Sequence, residues 1–302
     1  MNERNGYIYM KNTIKIVTDS ACDITKEEEI EYGIEILSFP ITADEKSYME
    51  RIDLTNREFY DLLDTCTSIP TTAQITHMRF EELYEQAYAD GYTDLIYISI
   101  NSTGSNTYNN SIMAKNIFYE NHPEAKDKFQ IYPVDSKTYT IAYGYPVIQA
   151  ALKAQKGMPA PDIVAYLEDW FNSVEIYFAP YTLDYVKKSG RVSCAAAFVG
   201  ELLGLRPIIS IIDGETAIVE KVRGDKSIIP ALIKHAGKSK IPQTDYCLIG
   251  GSLEDKYEEL KKEVVSAFKY EPVNAAYAGA AISINAGPKV VGIIVKGQKR
   301  ER

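Results

Sequence analysis

The residues best equipped for chemistry lie in one short stretch, Ser102-Thr103-Gly104-Ser105-Asn106-Thr107. The hydroxyls of Ser102, Ser105 and Thr107 can donate hydrogen bonds without carrying charge. An apolar run, Leu95 to Ile100, precedes the stretch, and a helical pattern begins near Asn106 with Tyr108, Ile112 and Ile117–Phe118 available to one face. The carboxyl end of a strand meeting the amino end of a helix is where open α/β sheets bind ligands. Unpaired N–H groups and the helix dipole favour an anion there. Two readings stand: a seat for a carboxylate or phosphate, or a Ser/Asn-rich turn with Ser105 as the helix N-cap. Asp19–Ser20 and Asp135–Ser136 also end apolar runs; they could hold a metal or line a cleft, or cap and close loops. Gly250-Gly251-Ser252 has the composition of an anion loop, although Ser252 capping a helix with Asp255 three residues on explains it better. Lys187, Lys188 and Arg191 form a basic turn, either a solvated cluster or a docking patch for an acidic partner.

The negative findings narrow the chemistry. There is no Walker A, GxGxxG or GxSxG pattern. His77, His122 and His235 lie far apart without metal-ligand spacing, and no serine has an obvious histidine partner. Neither a metal nor a catalytic residue is assigned. Acidic residues outnumber basic ones, 42 against 33, for a net charge of −9, which argues against nucleic acid as a partner. No stretch approaches the roughly 20 apolar residues of a membrane span, and the start, MNERNGYIYMKN, lacks an apolar signal core. Cys22, Cys66, Cys194 and Cys247 form no CxxC pair and read as small core residues in a reducing cytoplasm.

The elements that must position these residues follow from periodicity. Ile14–Thr18, Leu95–Ile100 and Gln130–Val134 read as strands, and Ile34–Ile41 as an extended segment ending near Pro40. Helical spacing recurs over residues capped by Asn56, over Arg79–Ala89, and from Ile141 to Leu152. Strand–helix alternation over the first 157 residues predicts a parallel sheet between helix layers, an α/β/α sandwich. Gly157-Met-Pro-Ala-Pro161 is the best linker, so the chain divides into residues 1–157 and 158–302. Beyond it come a helix through Ile163–Phe171, a strand at Ile176–Ala179, a small apolar stretch at Ala195–Leu203, and a hairpin around Asp213–Gly214. Helices near 225–237 and 254–268 flank a strand at Tyr246–Ile249, with further strands near Val273–Tyr277 and Val290–Val295. A hairpin inside an α/β pattern predicts a mixed sheet for this second α/β domain.

Several segments together resemble the DegV family of bacterial fatty-acid-binding proteins. IVTDSACDIT resembles its opening TDS segment, SIPTTAQIT its Thr/Ser-rich loop, INSTGSNTYNNS its SSxxSGTYxSA motif and VDSKTYTIAYG its DSK segment. The long block from Thr182 through Asp213–Gly214 resembles its LKKSGR…KPI…DG block. The matches run in family order over nearly the whole chain. The resemblance implies a two-domain carrier without catalysis or cofactor, holding a long-chain fatty acid that a separate fatty acid kinase acts upon. It assigns the carboxylate to Thr71, Ser102 and Ser105, with Thr72, Thr103, Gly104 and Arg206 in the head-group vicinity. The family's third head-group residue is often a histidine, and Asn285 stands in its place. Lys187, Lys188 and Arg191 are implied to dock the kinase. The alternatives are an enzyme using the Asp/Ser loops, which a general base beside Ser102 would favour, and a regulatory binder of another acidic amphiphile. A tubular apolar cavity ending at Thr71 and Ser102 would favour the carrier.

Overall fold

In a computed structural model of the chain, residues 13–194 and 204–300 are described, so Ala195–Leu203 lies outside them. Strand β1 (Ile14–Asp19), helix α1 (Lys26–Tyr32) and strand β2 (Glu35–Leu37) are followed by β3 (Pro40–Ala43), β4 (Lys46–Met49), α2 (Asn56–Thr65) and β5 (Thr71–Thr72). Then come α3 (His77–Ala89), β6 (Asp94–Ser99), α4 (Thr107–Asn121), β7 (Gln130–Asp135) and α5 (Ile141–Gln155). β1, β2, β6 and β7 form a four-stranded parallel sheet in the order β2-β1-β6-β7. Every residue of β6 is buried, the mark of a strand covered on both faces. The extended segment around Pro40 divides in two: β2 joins the parallel sheet, while β3 pairs antiparallel with β4 and β5 in a small separate sheet.

The remaining elements are α6 (Ala160–Phe171), β8 (Val174–Pro180), α7 (Asp184–Ser189), β9 (Leu205–Ile212), β10 (Glu215–Arg223) and α8 (Ile228–Ser239). They continue with β11 (Tyr246–Gly250), α9 (Glu254–Phe268), β12 (Asn274–Tyr277), α10 (Ala280–Ala286) and β13 (Val290–Lys296). The six strands make one mixed sheet, β10-β9-β8-β13-β11-β12, in which β11 and β12 are parallel and the other pairs antiparallel. Helices α8 and α9 pack on this sheet, whereas α5 touches both sheets, meeting β1 as well as β8, β11 and β12. That double contact explains why α5 is buried almost all round. α6 packs on α5 and on β6 and β7, and the Trp170 indole donates to the Ala142 carbonyl at 2.9 Å. Among the described residues no helix is long and apolar enough to cross a membrane.

Three local expectations are corrected. Thr55, not Asn56, caps α2: its hydroxyl accepts from the Glu58 N–H, the Glu58 carboxylate accepts from the Thr55 N–H, and Asn56 instead donates to the Tyr277 carbonyl. Ser252 does not cap α9, whose cap is Leu253; the Ser252 N–H donates to the Pro288 carbonyl at 2.7 Å. A Cβ on Gly251 would fall 1.9 Å from that same oxygen, so the glycine there serves close backbone packing. On α4 Phe118 is buried as expected, but the rest of the buried face is Thr107, Asn110, Ser111 and Ala114 instead of Tyr108, Ile112 and Ile117. Its polar members anchor neighbours: Thr107 and Asn110 bond the two backbone groups of Ile75, and Ser111 offers its carbonyl to the Tyr84 hydroxyl.

Candidate functional site

A cavity of about 390 Å³ opens between the loops that end β6 and β7, the segment after β5, helix α10 and one face of the six-stranded sheet. Its two sides differ in chemistry for a reason visible in the elements. The sheet contributes Ile176 and Phe178 from β8, Ile211 from β9, Ile249 from β11 and Val290 from β13, residues that inward-facing strand positions require. The loops and α10 contribute Thr72, Gln74, Ser105, Tyr139 and Asn285. The polar loops are fixed to one another, since the Thr107 hydroxyl accepts from the Ile75 N–H at 3.2 Å and contacts the Ser105 hydroxyl at 2.8 Å.

The expected site residues distribute unevenly around this cavity. Ser105, Gly104, Thr72 and Asn285 line it. Thr71 does not; it is exposed, and Thr72 is half-buried. β5 pairs Thr71 with Thr42 and Thr72 with Ile41, and successive strand side chains point to opposite faces, so a one-residue difference moves the hydroxyl off the site. Ser102 also turns away from the cavity. Its hydroxyl donates to Asp135 Oδ2 at 2.5 Å, while the Ser102 and Lys137 N–H groups both donate to Asp135 Oδ1 at 3.0 Å. Thr103 is exposed and does not line the cavity. Arg206 lies near the start of β9, away from Ile211; its guanidinium donates to Asp225 at 2.7 Å, and it does not line the cavity. The loop amides differ from expectation as well. The N–H groups of Gly104 and Ser105 close onto the Asn101 carbonyl at 3.0 and 3.2 Å and are spent there.

Of the basic block, Lys187 and Lys188 are exposed in the last turn of α7, and Arg191 lines the cavity while bonding the Ser189 carbonyl. Arg191 also acts on Tyr139. Burial pushes that phenol up, and hydrogen bonds from Asn101 and Thr103 and the Arg191 charge pull the other way, so Tyr139 is a neutral hydroxyl at physiological pH. The Asn285 amide donates to the Ala281 carbonyl at 2.8 Å, which leaves one N–H and the carbonyl oxygen for the cavity. Sequence reasoning missed Asn101, Tyr139 and Thr216. Asn101 is buried and donates to the Tyr139 hydroxyl at 2.9 Å and to the Gly214 carbonyl at 3.3 Å, tying the loop after β6 to the β9–β10 turn. The only local signal was an amide standing among hydroxyl residues. Among the described residues, no three His, Cys, Asp or Glu side chains gather as a metal site.

Comparison with known proteins agrees with this architecture. A family model described as "Uncharacterised protein, DegV family" matches residues 13–297. A DegV domain-containing protein of Clostridium perfringens is 32% identical over 284 residues, 93% of this chain and 97% of that one. The crystal structure of DegV, a fatty acid binding protein from Bacillus subtilis, superposes with a TM-score of 0.79 at 27% identity, covering 95% of this chain and 99% of the other. A stearic acid-binding protein from Eubacterium ventriosum shares the fold with a TM-score of 0.83 at 22% identity, covering 94% and 98% of the two chains. With the family model matched from the first described strand to the last and a relative this similar over nearly its whole length, the chain belongs to the DegV family.

Proposed function

We propose that this protein binds a long-chain fatty acid and presents its carboxyl group to a separate fatty acid kinase, without catalysing a reaction itself. The observation that carries the reading is the division of one cavity into an apolar sheet wall and a wall of hydroxyls and amides. Thr72, Ser105 and Asn285 hold the carboxylate, and the Arg191 guanidinium supplies positive charge beside it. Neutral donors stabilise a carboxylate without burying a counter-charge, which would itself cost solvation. The tail lies against Ile176, Phe178, Ile211 and Ile249. At about 0.8 kcal/mol per methylene, a C16 tail gains roughly 10 kcal/mol before ordering costs, so the tail dominates affinity and the polar wall fixes orientation. We divide the chain near Gly157, which puts the hydroxyl loops in the first domain and Arg191 in the second, and we assign the protein to the cytoplasm. The contact that a hydrolytic reading would use, Ser102 on Asp135, does not line this cavity, and both carboxylate oxygens are engaged.

Lipid extracted from the purified protein should be a fatty acid at about one per chain, as one cavity with an apolar sheet wall and a polar wall requires. After delipidation, Thr72→Ala should weaken C16 acid binding by about 1–2 kcal/mol, the scale of a charge-assisted hydrogen bond, and leave the methyl ester unaffected. Thr71→Ala should change neither. A protein that purifies empty and takes up no long-chain acid would refute the reading, and equal losses for acid and ester would mean that Thr72 only shapes the cavity.

Lys187 and Lys188 make no ion pair with a described residue, and α7 packs directly on α10, so a partner docked there reaches the cavity helix. Lys187→Glu with Lys188→Glu should abolish acyl-phosphate formation by a cognate kinase while the Kd for the acid stays within about twofold. Lipid binding that falls in proportion to turnover would remove these lysines from the docking surface.

A further inference from the structure

The opening segment Thr18-Asp19-Ser20-Ala21-Cys22-Asp23 places two carboxylates within five residues, and both are buried, as is Glu50 after β4. Buried carboxylates persist only where donors satisfy them. Their donors are not drawn at random. Asp19 accepts from the Tyr143 and Tyr97 hydroxyls and from the Ile100 N–H at 2.9 Å. Asp23 accepts from the Thr140 hydroxyl and from the Gly279 N–H at 2.8 Å. Glu50 accepts from the Ala281 N–H at 2.7 Å and from the Ser20 hydroxyl at 2.5 Å, and Ser20 in turn accepts from the Phe39 N–H at 2.9 Å.

Ile100, Thr140, Ala281 and Phe39 all line the cavity, and they come from four separate segments of the chain. Three carboxylates outside the cavity therefore hold four pieces of its wall, each by a direct bond or through Ser20. The hold is tightest on α10. No side chain within the helix's own segment caps it, yet the N–H of its N-cap Gly279 ends on Asp23 and the N–H of Ala281 ends on Glu50. A Cβ on Gly279 would lie 2.8 Å from Asp23 and 2.9 Å from Glu50, so both carboxylates crowd the space a side chain there would need. Next to Ala281, Ile282 faces the cavity, and one turn further on α10 presents Asn285 and Ala286 to it.

We propose that Asp23 and Glu50 are positioning residues for the ligand, clamping the first turn of α10 so that Ile282, Asn285 and Ala286 stay on the cavity, and that release of this clamp is the motion that frees the ligand. The proposal rests on the fatty-acid reading for its ligand and on hydrogen bonds alone for the clamp. Nothing about it requires the carboxylates to touch the ligand.

The test combines amide hydrogen exchange with ligand dissociation in the full chain. In Glu50→Ala, exchange over residues 279–286 should rise about tenfold while the β6 amides keep the parent rate, because Glu50 holds α10 and, through Ser20, Phe39, but makes no bond to β6. Dissociation of a C16 acid should accelerate by about tenfold, and Glu50→Gln, which keeps an acceptor for Ala281, should restore both to within about threefold. Equal acceleration in α10 and β6 would reduce Glu50 to general stability, and parent rates in Glu50→Ala would remove the clamp; either overturns the proposal. If Glu50→Ala does not fold, the parent decides: adding the acid should slow exchange of the Phe39, Ile100 and Ala281 amides together, and unchanged exchange at Ala281 refutes the coupling. A parent that binds no acid refutes the fatty-acid reading, while exchange over α10 in Glu50→Ala still judges the clamp.

Discussion

Ala286→Trp is expected to abolish useful affinity for a C16 acid while leaving a folded, cooperative protein. Ala286 is a half-buried residue in the last turn of α10 and lines the cavity opposite the sheet. An indole there takes the room of roughly five methylenes, and at about 0.8 kcal/mol each the tail loses about 4 kcal/mol. That is about a thousandfold in Kd. The side chain projects into space already empty, so overpacking strain is small compared with a substitution in the closed core. A C8 acid, whose shorter tail needs less of the cavity, should lose less. Titration of both acids, with a thermal melt of the ligand-free variant, measures this. A C16 affinity equal to the parent's would show that the tail lies elsewhere, and equal losses for both acids would put residue 286 at the head group.

Stability is expected to fall as pH rises from about 4 to about 8, with the optimum on the acid side of neutrality. Burial pushes Asp19 up to about 6, against hydrogen bonds from Tyr143, Ile100, Tyr97 and Ala21 that pull it back. Burial pushes Asp23 up to about 8, partly offset by Thr140 and Gly279, with the Glu50 charge adding to the rise and Arg51 opposing it. Glu50 is raised as well, again chiefly by burial. The sign follows from proton counts. In the unfolded chain Asp19 and Asp23 release their protons near pH 4, whereas the folded chain keeps them until about pH 6 and 8. Between those limits the folded state binds more protons, so each retained proton costs about 1.4 kcal/mol of stability per pH unit gained.

The contribution is fully present below about pH 4 and is lost through the folded values. Asp44, held by Thr67, and Glu58, held by Thr55, lie below the usual carboxylate range and act in the opposite sense at lower pH. Both are exposed, and solvent screens them. Urea denaturation at a series of pH values checks the slope, and Asp23→Asn should flatten its upper half. Stability that is constant or rising from pH 5 to 8 would mean the buried carboxylates are ionised throughout.

Much of the fold was legible because it depends on local pattern. The apolar runs of β1 and β6 show their burial directly, and Asp213–Gly214 between two apolar segments marks the β9–β10 hairpin. The family resemblance was legible for a different cause: its motifs are short, but they occur in order over the whole chain. α10 was not legible. Ala-Ala-Ile-Ser-Ile-Asn-Ala has no strong helical stripe, and the caps that start the helix belong to Asp23 and Glu50, more than two hundred residues away. Nor was the division of the segment around Pro40, since β3 leaves the parallel sheet only because β4 and β5 are there to pair with it.

The candidate site divides along the same line. Composition and order of residues alone determined which loops carry hydroxyls, where the strands that end in them lie, and that an amide stands at position 285. Which hydroxyls face the ligand was decided by tertiary structure. The register of β5 on β3 turns Thr72 inward and Thr71 outward, and Asp135 takes the Ser102 hydroxyl for the loop's own closure. Arg191 and Arg206 are equally basic in sequence, yet Asp225 engages one and the cavity mouth receives the other. The physical reason is one of range: helix and strand periodicity act over a few residues, whereas side-chain direction at the cavity depends on partners contributed by strands and helices that meet only after the chain has folded.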